Sequence, residues 1–204
     1  EPEGFMVAPG TYTVEIAKRI DGQVTALGEP RSFDVVRMRN GALDGAEPAE
    51  TVAFWKRLSA MQRRVSAANQ VIDEARAKVE ALDTALARST APAGELDAEL
   101  HAVSQRLFAI QEQLRGKETL TELNEPQGPT IAQRMFVAQI GTGNSTYGPT
   151  PTHERSLEIA EQQFEDVRSE LNRMVDQRIP ALEDALFEAG APWTPGSPVP
   201  SASR

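Results

Sequence analysis

The middle of the chain carries apolar residues at the spacing of a coiled-coil seam. Between Phe54 and Leu86 they recur in alternating steps of four and three residues without a break. This heptad pattern over 33 residues predicts one continuous helix of about 50 Å, because each residue adds about 1.5 Å of rise. The seam consists of Phe54, Leu58, Met61, Val65, Ala68, Ile72, Ala75, Val79, Leu82 and Leu86.

Two shorter apolar patterns follow the first seam. One runs from Leu96 to Leu114 in the same steps of four and three. It predicts a helix antiparallel to the first, because the loop between them is short. After an irregular stretch, 115–129, a further helix is predicted over Ile131 to Ile140, with Ile131, Met135 and Phe136 facing inward.

The last long helix is predicted from about Thr152 to Glu188. Two consecutive steps of four after Leu171 make its seam slip once, which predicts local unwinding of the supercoil. Pro180 lies close to this slip and is expected to kink or interrupt the helix. The seam consists of Ala160, Phe164, Val167, Leu171, Val175, Ile179, Leu182 and Leu186.

The lengths of these helices constrain how they pack. The first and last would each be roughly 55 Å long, the second about 30 Å and the short one about 15 Å. We therefore predict a mainly α fold, an elongated antiparallel three-helix coiled-coil bundle whose middle leg consists of two pieces. The chain would go out, return in two steps and go out again. This path places the loop Gly141–Pro151 at the base of the bundle, beside a small N-terminal antiparallel β segment.

That β segment is predicted from the alternation of apolar and polar residues before position 40. Asp21-Gly22 indicates a hairpin turn, which needs positive φ. One strand is predicted over 11–16, and two others near 23–27 and 32–38. Three short strands cannot bury a core of their own. Either they pack on the helices or they end a sheet that lies upstream; we favour the second, because it covers the strand edges.

The pattern thus divides the chain into three parts. Residues 1–40 form the β segment, residues 48–188 form the helical bundle, and residues 189–204 form a Pro/Ser-rich tail. Within the tail, Trp193 has the most apolar surface to bury.

Composition narrows the classes of function. The net charge of −9 argues against nucleic acid as the main partner, since binding phosphates needs clustered Lys and Arg. The absence of cysteine excludes disulfides and cysteine zinc sites. No apolar run approaches the roughly 20 residues of a membrane span. No Ser–His–Asp set and no metal-ligand spacing is present, so we expect no catalytic residues, no metal and no cofactor.

One loop is a candidate contact surface. It is polar, punctuated by glycine and carries one aromatic residue, and functional residues often lie on loops held by a rigid scaffold. For His153, which opens the last helix beside Thr150, helix capping is favoured over chemistry. The candidate binding residues are Thr142, Asn144, Ser145, Tyr147, Thr150 and His153.

Several segments together resemble a known family. They are PGTYTV at 9–14, Asp21-Gly22, EPRSFDVV at 29–36, AEPAETVAFW at 46–55 and YGPTPTHERSLE at 147–158. Their order is similar to the C-terminal region of bacterial exported proteins with sortilin-type Asp-box (BNR-repeat) β-propellers, often labelled glycosyl-hydrolase-like. In that family an Ig-like module ends in such a hairpin, and a helical coiled region follows it.

The resemblance implies an exported protein, located in the periplasm, at the cell surface or outside the cell, with an upstream β-propeller as partner. No catalytic residue of the family maps onto this chain. We therefore expect a non-catalytic structural or interaction module at the C-terminal end of such a protein. Two alternatives stay open: a self-associating coiled coil, and an accessory region of a glycosidase-like hydrolase.

Overall fold

The fold is mainly α, as predicted: an antiparallel helical bundle preceded by a small antiparallel β segment. The computed structural model describes residues 5–37, 44–90, 94–123, 125–143, 145–197 and 199. Among these residues no helix has both the length and the apolar character needed to cross a membrane. The helices are α1 (Pro48–Ala87), α2 (Gly94–Arg115), α3 (Glu118–Glu122), α4 (Ile131–Gly143), α5 (Pro151–Arg173) and α6 (Ile179–Glu188).

Helix α1 forms the spine of the bundle. All ten predicted seam residues, from Phe54 to Leu86, are buried, and Trp55 and Ala85 join them in the core.

Helix α1 begins at residues that favour a helix start. Pro48 occupies the first turn, where its missing N–H costs no hydrogen bond, and the Glu50 carboxylate accepts a hydrogen bond from the Glu47 N–H.

Side-chain pairs give the direction of each leg. Arg76 on α1 donates to Gln111 on α2, and Arg115 near the end of α2 reaches back to Asn69, so these two helices are antiparallel. Helix α1 and the α5–α6 leg run in the same direction, because Lys78 pairs with Glu183 far down the bundle while earlier α1 residues pair with the start of α5.

The returning leg is in two pieces, as predicted. Helix α4 is antiparallel to α5, since Arg134 donates to Gln163 while Gly141 lies against the ring of His153. It also contacts α1, where Gln62 donates to Gln139. Helices α2 and α4 therefore cover α1 one after the other, and α3 lies between them in the chain.

The inner face of α4 differs from the prediction. The helix extends to Gly143, and its buried line consists of Ile131, Met135, Ala138 and Thr142, in steps of 4-3-4. Phe136, predicted to face inward, is 59% exposed. The prediction was wrong because position 136 lies about 100° around the helix from Met135 and so cannot share its buried line.

The last leg contains a π-turn, Met174–Arg178, between α5 and α6. The predicted slip after Leu171 is present, but the steps are three and then five, so Met174 is buried and Val175 is only partly buried. The Ile179 N–H bonds to the Met174 carbonyl, five residues earlier. This wider turn ends just before Pro180, whose ring would clash with the carbonyl four residues before it in a regular α-helix.

The β segment has four strands where three were predicted. They are β1 (Gly10–Val14), β2 (Ala17–Ile20), β3 (Gln23–Ala26) and β4 (Arg31–Val35). Strands β2 and β3 pair around the predicted turn, where Asp21 and Gly22 both have positive φ, and β1 pairs with β4. The long first strand is interrupted at 15–16, and the predicted end of the last strand, Met38, lies outside the described residues.

The four strands form one long hairpin, in which β1 pairs with β4 and β2 pairs with β3. Its β1–β4 part has one apolar and one polar face. Tyr12 is paired with Phe33, and their rings stack with centroids 6.1 Å apart. On the opposite face Thr11 donates to the Asp34 carboxylate at 2.7 Å. Phe33 is 51% exposed, so the described residues leave the apolar face largely uncovered.

The C-terminal segment is not a free tail. Residues 190–197 fold back onto the end of the bundle, and Ala191 and Thr194 are buried there. Trp193, expected to have the most to bury, is 54% exposed, although its indole N–H donates to the Ser197 carbonyl. The small side chains of Ala191 and Thr194 are buried, whereas the indole lines a groove beside them. Residues 198 and 200–204 lie outside the described residues.

Replacing a core residue at the centre of α1 should destabilise the whole bundle. Ile72→Ala removes a fully buried side chain, so we expect the free energy of unfolding to fall by about 2–5 kcal/mol. Phe136→Ala is the matched control on the exposed side of α4 and should change it by less than about 1 kcal/mol. Urea unfolding followed by circular dichroism, in dilute solution, measures both. Equal losses would contradict the inward and outward assignments.

Candidate functional site

The predicted contact loop lies at the base of the bundle, against the start of α1. The Ala46 N–H donates to the Tyr147 carbonyl at 2.8 Å. Gly148 is buried with a φ of 83°, and a Cβ added there would lie 2.5 Å from the Thr51 hydroxyl oxygen. The ring of Phe5 contacts that of Trp55 at a tilt of 44°, with ring centroids 6.2 Å apart. The predicted position of the loop at the base of the bundle is confirmed, while its predicted place beside the β strands stays a prediction.

The six predicted contact residues do not form one surface in the structure. Thr142 is not on the loop. It is a fully buried residue of α4, and its hydroxyl donates to the Ala138 carbonyl at 2.7 Å. Its placement on a contact surface was therefore wrong, because the helix runs three residues beyond Ile140. Asn144 lies outside the described residues.

The other four residues mainly organise the loop. The Ser145 hydroxyl accepts a hydrogen bond from the Tyr147 N–H at 3.1 Å. The Thr150 N–H donates to Nδ1 of His153 at 3.2 Å, at the start of α5. This is the capping role expected for His153. Tyr147 and Thr150 retain exposed surface, so they are the part of the predicted set that is open to a partner.

A charged cluster beside this loop joins α5 to α1. Arg57 donates through Nε and one terminal nitrogen to both oxygens of Glu161, at 2.8 and 2.5 Å, and through the other to Glu154 at 3.1 Å. The hydrogen bond to Glu161, together with the charges of Glu161 and Glu154, raises the pKa of Arg57. A shallow cavity of about 420 Å³ lies beside the cluster, bounded by Phe54 and Pro149. The bidentate geometry fixes the register of α5 on α1.

A second charged group reinforces this register further along. Arg64 and Arg168 both donate to Glu165, and these hydrogen bonds, Arg64 first, lower the pKa of Glu165. A lowered carboxyl pKa gives a contribution to stability that is present above the ordinary pKa and is lost as the pH falls through the folded value. The group is exposed to solvent, so its contribution is small.

Sequence reasoning missed the cluster at the far end of the bundle. The Lys78 ammonium lies 2.7 Å from the Glu183 carboxylate, 3.2 Å from the Thr194 hydroxyl, 3.0 Å from the Pro195 carbonyl and 2.9 Å from the Ser197 hydroxyl. The Ser197 hydroxyl also donates to Glu183. The lysine thus holds the C-terminal segment onto α1 and α6. No short-range sequence signal marks it, since its partners are more than 100 residues away.

Two grooves accompany these clusters. One, of about 450 Å³, lies between α6 and the folded-back segment, with Leu82, Phe187 and Trp193 in its wall. The other, of about 380 Å³, lies between α1 and α2 and has exposed carboxylates at its rim. Among the described residues, no group of three His, Asp or Glu side chains is arranged to hold a metal ion. The carboxylates at the second groove are Glu80, Asp83 and Asp97.

A side chain at position 148 should disturb the base loop. Gly148→Ala forces a left-handed backbone on alanine and places its methyl group against Thr51, so we expect a loss of about 1–3 kcal/mol in the free energy of unfolding. Gly143→Ala is the control, because a Cβ there meets no atom within 4 Å. Denaturant titration of both variants measures the difference. A neutral Gly148→Ala variant would show that the loop is not held against α1.

Removing the ammonium of Lys78 should release the C-terminal segment. Lys78→Met keeps the apolar stem but leaves the partly buried Glu183 carboxylate without its cation. We expect a loss of about 1–3 kcal/mol, with faster amide exchange over 191–197. Lys56→Met, at an exposed position of α1, is the control. Unchanged exchange in the Lys78 variant would contradict the anchoring role.

Comparison of the chain with protein-family models, with curated proteins and with solved structures gives no match in any of the three. The charged clusters, the grooves and the exposed apolar face of the hairpin therefore carry the functional argument by themselves.

Proposed function

We propose that this chain is a structural and interaction module at the C-terminal end of a larger exported β-propeller protein. In this role the hairpin completes a sheet of an adjoining Ig-like unit, and the helical bundle is a rigid spacer. The observation that carries the proposal is the uncovered apolar face of the hairpin, where Tyr12, Val14 and Phe33 lie side by side.

The energetics of a two-stranded ribbon support this role. A lone hairpin is marginally stable in water, whereas a ribbon covered by a second sheet buries its apolar face. Apolar and polar side chains already lie on opposite faces of the β1–β4 ribbon, as this arrangement requires. Thr13 and Ser32 share a hydrogen bond on the polar side, which suits a surface that faces water. The sequence resemblance to the end of Asp-box propeller proteins points to the same neighbour.

The structure weakens the alternative of a self-associating coiled coil, because the apolar seam that would pair two chains is buried. The seam from Phe54 to Leu86 is covered by helices of the same chain. A seam that is already buried is not available for pairing with a second chain through the same residues.

The alternative of an accessory region of a glycosidase-like hydrolase has one observation in its favour, the carboxylates at the rim of the α1–α2 groove. Glu80, Asp83 and Asp97 are all exposed, whereas a glycosidase acid is held in a pocket that raises its pKa. A screen of chromogenic glycosides, on this chain and on the full-length protein, separates an accessory role from a catalytic one.

Hydrogen exchange tests the proposed sheet. In the isolated chain the backbone amides of β1 and β4 should exchange quickly; in the full-length protein they should exchange at least about 100-fold more slowly, because a covered sheet opens less often. Amides at the centre of α1 are the internal control and should not differ. The coding sequence upstream of Glu1 should contain Asp-box repeats. Equal exchange in both forms, or an upstream region without β modules, would contradict the proposal.

A further inference from the structure

Helix α4 is apolar on two opposite faces. Its inner line, from Ile131 to Thr142, packs on the bundle. Its outward positions are also uncharged: Gln133, Phe136, Val137 and Ile140, of which the three apolar residues are between 42% and 59% exposed. A helix at a protein surface ordinarily carries charged residues outward, and a helix that is apolar all round is ordinarily buried all round. The described residues cover only one of its faces.

The surroundings of this face are also depleted of charge. Residues 126–153 contain no Asp or Glu, and Arg134 is their only Lys or Arg, whereas charged residues make up 25% of the whole chain. Arg134 is turned sideways, toward Gln163 of α5. Depletion of charge around exposed aromatic and aliphatic residues is the compositional signature of the core of a protein interface.

We propose that the outward face of α4 is a homodimer interface, in which two copies of this chain pack α4 against α4 about a two-fold axis. Two copies with a net charge of −9 each repel one another. The neighbouring leg α5 presents charged residues of both signs to solvent, with Glu158 and Glu165 held in ion pairs, so contact through it would bury charges at a cost in desolvation. The outward face of α4 has no charged member to desolvate, and a two-fold interface requires a patch that is complementary to itself.

The geometry of the patch suits helix-on-helix packing. Phe136 and Ile140 are four residues apart and form a ridge along the helix, with Val137 beside them. The helix is about 20 Å long, so its face is smaller than the roughly 800 Å² per partner of a standard stable interface. We therefore expect a weak dimer, whose formation depends on the protein concentration. This surface is separate from the hairpin and does not depend on the propeller proposal.

Sedimentation equilibrium of the 204-residue chain, over a concentration series from about 1 to 500 μM, tests the dimer. The weight-average mass should rise toward twice the monomer mass, and added salt should strengthen association by screening the repulsion. Phe136→Glu and Ile140→Glu, made separately, should each weaken the dimer at least about tenfold, because each charge is present twice in the interface. Val24→Glu, the same kind of change at an exposed hairpin position, is the control and should leave it unchanged.

Cross-linking gives a readout that does not depend on acidic variants. The chain has no cysteine, so Ile140→Cys introduces a single thiol at the proposed axis and Asp166→Cys a single thiol on α5. Under mild oxidation the first should form covalent dimers much faster than the second. A monomer at every concentration would overturn the proposal, as would association that survives both α4 variants or is abolished by Val24→Glu. Circular dichroism confirms that each variant is folded.

Discussion

The structure depends on burying the apolar seam of α1 along its whole length. This helix of 40 residues is about 60 Å long, and neither α2 nor α4 alone is long enough to cover it. The chain therefore returns along α1 twice, with α2 over its far half and α4 over its near half, and α5–α6 closes the third side. Charged pairs at the edges of this core, such as Arg57 with Glu161 and Lys78 with Glu183, keep the two parallel legs in register.

Both ends of this long core are closed by segments without regular structure. At the base, the loop after α4 lies against the first turn of α1, and Gly148 permits the close approach. At the far end, the segment after α6 is tied to Lys78. The closure at the base uses polar groups of the loop that the sequence marked as a contact surface, so Ser145, Thr150 and His153 have structural partners within the chain. Two of the surfaces left open among the described residues are apolar.

Two open apolar surfaces distinguish the molecule from a simple spacer. The hairpin exposes Phe33 beside Tyr12, and α4 exposes Phe136 beside Ile140. Elsewhere the outward positions of α1 and α5 are largely charged or polar. The two surfaces belong to different secondary structures and call for different partners, a sheet for the first and a helix for the second. In the two proposals above, the hairpin surface would attach the module within a longer protein and the α4 surface would join two copies of it.

The sequence by itself determined the long helices, the α1 and α2 seams, the hairpin turn at Asp21-Gly22 and the base position of the loop. Heptad spacing over many turns is a strong local signal, and helix lengths restrict the path of the chain. Only the tertiary structure decided which side of α4 is buried, because a helix with apolar residues on both sides has two admissible inner faces. It also decided between Met174 and Val175 at the π-turn, since adjacent apolar residues satisfy the pattern equally and packing against the other legs selects one. The anchoring of residues 190–197 by Lys78 was likewise beyond any local pattern, because its partners are more than 100 positions apart and meet only when the bundle is complete.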